Sequence, residues 1–133
     1  MNNKSKKILS EISTGELFDK ISILEIKLKK IKDEESQKEI RKEYDVLKKA
    51  QNLNVEITEK LKNLFEEIKK VNLNLWDIEN KIRACEKSKD FGKNFINLAR
   101  EVYINNDERS KIKSEINKIS GSNIKEIKQY IDY

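Results

Sequence analysis

Between Leu61 and Cys85 the apolar residues Leu61, Leu64, Ile68, Val71, Leu75, Ile78, Ile82 and Cys85 recur at alternating steps of three and four. That spacing keeps side chains along one seam of an α-helix. No residue in the stretch breaks a helix, so the pattern predicts one running from about Val55 to Lys87, some ~50 Å long at 1.5 Å per residue. Polar residues interrupt the same face. Advancing about 100° per residue from Leu75 places Asn72, Glu79, Arg83 and Glu86 inside the apolar sector or at its edge.

The rest of the chain reads around this helix. Ser13-Thr14-Gly15-Glu16 has the form of a capping box, with Ser13 as N-cap, Glu16 three residues on, and Ile12 and Leu17 placed for a hydrophobic staple. The helix it opens carries Leu17, Ile21, Leu24, Leu28 and Ile31, and ends in the run Lys32-Asp33-Glu34-Glu35. Ser36 is placed to cap a second helix to about Asn52, whose apolar stripe is thin. After Ser88-Lys89-Asp90, a fourth helix capped by Asp90 presents Phe91, Phe95, Leu98, Val102, Ile112, Ile116 and Ile119 on one face. Asn105, Asn106 and Arg109 fill that face between Val102 and Ile112, and a continuous helix through this polar layer is expected. Ser120-Gly121-Ser122 stops it. Asn123 to Tyr133 is expected to form a short docked helix through Ile124, Ile127 and Ile131.

Short connections favour antiparallel neighbours, so the third and fourth helices should form a long hairpin. A turn near Ser88 to Asp90 puts Trp76 level with Tyr103, and Asn72 level with Asn106 and Asp107. Glu79 and Arg83 then lie near Arg100 and Ile96. The first two helices are too short to cover the whole hairpin, and an uncovered apolar half motivates a homodimer, or a partner helix, on that surface.

The chain has 133 residues, no proline and three glycines, Gly15, Gly92 and Gly121. That is one domain's worth of sequence with few forced turns, and it reads as all-α. Residues 1–12 are expected to be a basic, partly disordered start and 13–133 a single helical bundle. The start is neither a signal peptide nor a membrane span, so a cytoplasmic protein is expected. The formal net charge is +5, yet both signs alternate along nearly every segment, as in Glu34 to Lys49. A solvated surface follows, rather than a basic stripe for nucleic acid. Histidine is absent and Cys85 is the single cysteine. This sets aside zinc hydrolase chemistry, Ser/His chemistry, an internal disulfide and multi-cysteine metal sites. No cofactor or metal is expected.

Arginine usage narrows the candidate residues. Lysine fills 25 cationic positions and arginine four, Arg41, Arg83, Arg100 and Arg109, three of them on the hairpin. The planar guanidinium fork makes bidentate contacts that lysine cannot reproduce. One reading makes these structural pairs: Glu79 and Arg83 have the favourable i, i+4 order, and Arg109 can bond Asn72 or a carbonyl. The other gathers Lys20, Lys27, Arg83, Arg100 and Arg109 around a small phosphorylated or carboxylated ligand oriented by Asn72, Glu79 and Asn106. Structural pairs outnumber functional ones, which favours the first. An open pocket lined by several of these side chains favours a ligand, and pairwise satisfied buried contacts favour architecture. Leu75, Trp76 and Tyr103 read as core or interface contacts. Glu16 to Asp19 and Glu56 to Glu59 have a spacing suited to magnesium, but Asp19 and Glu56 are expected to point away from the seams, so that chemistry is set aside.

These residues carry a resemblance. Gly15-Glu16-Leu17, Asp19-Lys20 and Ile23 to Lys27 in the first helix, with Leu75 to Glu79, Ile82-Arg83, Asp90-Phe91-Gly92, Leu98-Ala99-Arg100, Val102-Tyr103, Asn106-Asp107 and Arg109 in the hairpin, resemble an uncharacterised bacterial family of short helical proteins, a domain of unknown function. The resemblance covers nearly all of the chain after Ser13. It implies a stand-alone helical domain and no assigned activity. The expectation is an all-α antiparallel bundle on a long hairpin, with two shorter helices and a short C-terminal helix. Its expected role is a non-enzymatic interaction or assembly module.

Overall fold

A computed structural model describes residues 6–133. Four helices follow one another: α1 (Thr14–Lys30), α2 (Glu34–Asn54), α3 (Glu59–Ser88) and α4 (Lys93–Ser120). The described residues hold no strand. Residues 1–5 of the expected basic start lie outside the described part.

The first three helices begin at a side chain that caps their free N–H groups, and α4 has no such cap. The Ser13 hydroxyl accepts from Glu16 N at 3.0 Å and opens α1 as expected. The other half of the capping box is not made, because the Glu16 carboxylate reaches Lys113 at 2.7 Å instead. Three starts differ from expectation. Asp33, rather than Ser36, caps α2 by accepting from Ser36 N, and α3 begins later, capped by Thr58. Asp90 does not cap α4; it accepts from Gly92 N inside the turn, and Gly92 is the N-cap residue. Ser36 thus lies three residues, and Asp90 two, from the N-cap position of its helix.

The turn between α3 and α4 closes on Lys89 in the left-handed region, with φ 59. Gly121 takes the same conformation after α4, with Ser122 N donating to Asn117 O at 2.9 Å. The last helix is continuous through Asn105 to Asp107, as predicted. Asn105 and Asn106 can sit in a helix without a break because Asn105 back-bonds to Glu101 O and Asn106 accepts from Arg109 one turn on.

Helices α3 and α4 form the long antiparallel hairpin, α1 packs on both of them, and α2 packs on α1. The apolar seam divides into two clusters. The first joins Phe18 of α1 to Leu61, Leu64, Ile68 and Val71 of α3 and Ile112 and Ile116 of α4. It is a three-helix core, with Phe18, Ile68 and Ile116 almost fully buried. Burying each such side chain contributes about 1.5–3 kcal/mol. The second cluster, Ile78, Cys85 and Leu98 with Ile82, Phe95 and Val102 against it, draws on α3 and α4 alone.

The expected C-terminal helix does not form. Residues 123–133 have no regular structure and lie back along α4 as a strap. Eleven residues make a marginal helix unless an apolar face is buried, and Ile127 and Ile131 are left 88% and 94% exposed. Polar clips fix the strap instead. Glu126 accepts from Ser13 Oγ and from Asn117 Nδ2, Lys128 and Tyr133 bond Asp107, and the Tyr133 ring meets Tyr103 edge-on at 5.3 Å.

Candidate functional site

The centre of the polar layer is Asp19, which is 0% exposed. Its carboxylate is held bidentately by Arg109, Nε to Oδ1 at 2.8 Å and Nη2 to Oδ2 at 2.5 Å. Asn72 Nδ2 donates to Asp19 Oδ1 at 2.9 Å and to Ser22 Oγ at 2.8 Å. Ser22 in turn donates to Asp19 O. Among the described residues no buried side-chain polar atom lacks a partner. The bonds to Asp19 raise the Arg109 guanidinium above its ordinary pKa against the opposing effect of burial, so the arginine stays charged.

Sequence reasoning set Asp19 aside as facing away from the seams, and the structure corrects this. The seam was defined on α3, whereas α1 crosses the hairpin, so a residue off the apolar stripe of α1 faces Asn72 and Arg109. The detectable signal was an acid and a serine, Asp19 and Ser22, three residues apart on α1, with an amide, Asn72, set in the apolar seam of α3. Gly15 explains the close crossing. A Cβ there would lie 2.6 Å from Lys113 O and 2.9 Å from Asn117 Oδ1, and Gly15 N donates to that same Oδ1.

The eight proposed ligand residues do not converge as one cluster. Asn72, Asn106 and Arg109 belong to the layer around Asp19. Glu79 and Arg83 pair along α3 at 3.1 Å with both side chains exposed. Lys20 and Arg100 are exposed and Lys27 is half-buried, none of them in the layer. Of the proposed core or interface residues, Leu75 and Trp76 are half-buried and Tyr103 is 45% exposed beside Tyr133.

Six of these eleven residues nonetheless share an open notch of about 300 Å³. Asn72, Leu75, Trp76, Glu79, Arg83 and Arg109 line it, with Ile23 and Ile26 of α1 opposite. The notch lies where α1 departs from the hairpin. Two stripes run on past it towards the turn. Asn72, Trp76, Glu79 and Arg83 follow at helical steps on α3, and Asn117, Lys113, Asn106, Tyr103, Ala99 and Ile96 on α4. Asn72 and Asn117 each bond α1. Beyond α1 the strap reaches the α4 stripe as far as Tyr103, where Tyr133 packs, and the stripe from Ala99 to Ile96, with Glu79 and Arg83 opposite, lies past both.

Comparison with known proteins identifies a family model covering residues 8–132, described as a family of unknown function, DUF6165. The chain belongs to this family. No curated protein and no solved structure matches it. The DUF6165 match spans both the three-helix core and the bare distal hairpin. Among the described residues no helix is long and apolar enough to cross a membrane.

Proposed function

We propose that the protein is a non-enzymatic assembly module whose docking surface is the distal half of the α3/α4 groove. The observation that carries this reading is the second apolar cluster, which only two helices cover. A hairpin buries one face of each helix, and here Phe91 and Ile96 remain exposed on the same half, with Tyr103 45% exposed beside Tyr133. An apolar surface of this kind on a chain of 40% charged residues is the usual mark of a protein contact. The polar layer around Asp19 supports the same reading, because its groups are satisfied pairwise within the chain and serve to fix the crossing of α1.

The test is a photo-crosslinking residue placed at Ile96 in the native cells, with Lys42 on α2 as control. A defined adduct from position 96 and none from position 42 is the expected result. Equal labelling from both positions, or none from position 96, contradicts the proposal.

The notch favours one other reading, a small amphipathic carboxylate with its apolar part on Ile23, Ile26 and Trp76 and its charge on Arg83. Under that reading a small carboxylate or phosphate ester raises the unfolding midpoint of the parent and not of Arg83→Lys. Absence of any shift across such a panel removes it.

A further inference from the structure

We infer that the occupant of the distal groove is a second copy of this chain, packed face to face with its hairpin running in the opposite direction. The inference rests on the docking reading above and names its partner. Three features of the face are self-complementary in that arrangement.

The first is charge. Glu79 and Arg83 stand one helical turn apart on the exposed stripe of α3. A two-fold axis midway between them, at the level of position 81, sets Glu79 of each copy opposite Arg83 of the other. The second is size at the crossing point. Cys85 lies level with Asn94, which donates to its sulfur, and five residues further along both helices Ala99 comes level with Asn80, one residue from the axis. Ala99 is the smallest side chain of the α4 stripe, and it sits where the two α4 helices approach most closely. The third is a knob and its socket. With the axis at this level, the turn of one hairpin reaches the notch of the other. The turn presents Phe91, 49% exposed, braced edge-on by Phe95 at 5.4 Å. The notch offers Ile23, Ile26, Leu75 and Trp76 around about 300 Å³, enough room for a phenyl ring.

The position of α1 selects the antiparallel orientation. In a parallel pairing both α1 helices would occupy the same level of the interface and collide, since each already fills the proximal groove. Run in opposite directions, the bare halves overlap and each α1 lies beyond the other copy's turn. Two helices of about 10 Å width over the about 27 Å between the levels of Asn72 and Asp90, counted on both copies, bury on the order of 1,000 Å², the lower bound for a specific interface.

Sedimentation velocity of the full chain over a concentration series is the test, with the unfolding midpoint of each variant as a check that the fold is intact. Glu79→Arg, Arg83→Glu and Phe91→Asp all change exposed residues. The parent is expected to dimerise, and each variant to self-associate on the order of tenfold more weakly or less, because like charges meet across the axis or a charge enters the notch. Mixing Glu79→Arg with Arg83→Glu restores a dimer, since one copy then carries two positive charges opposite two negative ones. Ala99→Cys links to itself across the axis under mild oxidation. A monomeric parent at every concentration, or a dimer indifferent to all three variants, overturns the inference. A monomeric parent combined with a foreign adduct from position 96 leaves the docking surface in place and removes the second copy as its partner.

Discussion

At the residue scale the weight falls on Asp19 and Arg109, and the two are not equivalent. Asp19 is sealed from solvent while 30% of the Arg109 side chain is exposed, so an orphaned arginine can turn to water and an orphaned aspartate cannot. Arg109→Met should cost about 3–5 kcal/mol, the range for stranding a buried charge. Asp19→Asn keeps the shape and should cost about 1–3 kcal/mol. Urea unfolding of both variants gives the order, and equal losses would contradict the proposed asymmetry. Gly15→Ala is expected to destabilise by about 1–3 kcal/mol, because Lys113 O is backbone and must move with α4 to admit the methyl. A loss within error of zero would show that α1 has room to shift. Asn72 and Arg109 were legible in the sequence as polar residues among apolar ones. Their common partner was not, since the crossing of α1 over the hairpin is a relation between helices that no single periodicity encodes.

At the element scale the four helices and the hairpin follow from the three-and-four spacing, and their ends shift by a few residues because several Ser, Thr and Asp side chains compete to cap each start. The strap at residues 123–133 is the element periodicity misjudged. Ile124, Ile127 and Ile131 have helical spacing, but the structure offers them no surface to cover, and hydrogen bonds to side chains of α4 set the path instead. These clips have a pH signature. The bond to Asp107 raises the Tyr133 phenol to about 12, and the bonds from Tyr133 and then Lys128 hold the Asp107 carboxylate below its ordinary 3.8. The phenol clip is therefore at full strength below the ordinary tyrosine value of 10.0 and lost as pH climbs towards about 12. The carboxylate clip is at full strength above 3.8 and lost as pH falls through its lowered value. Contacts between the Tyr133 and Tyr103 rings, followed by NMR, should stay constant across the neutral range and disappear at both extremes. In Tyr133→Phe they should weaken throughout. A contact that survives at both extremes would mean that ring packing, not the clip, holds the strap.

At the scale of the whole molecule the folded chain is two unequal halves, a three-helix core locked by the Asp19 layer and a two-helix extension with an open apolar groove. The mismatch in helix length was visible in the sequence, and with it the prospect of an uncovered half. Which face stays open was not, because that depends on where α1 leaves the hairpin. Trp76, the single tryptophan, stands at this boundary, lining the notch at the start of the open groove. Its accessibility to acrylamide tests the account most directly. Fluorescence quenching should be efficient in dilute solution and fall as the protein is raised from about 0.1 µM to about 100 µM, a span that brackets ordinary affinities. In Arg83→Glu it should stay efficient throughout. A Trp76 already shielded in dilute Arg83→Glu, or one quenched equally in the parent at every concentration, would contradict an open groove filled by a second copy.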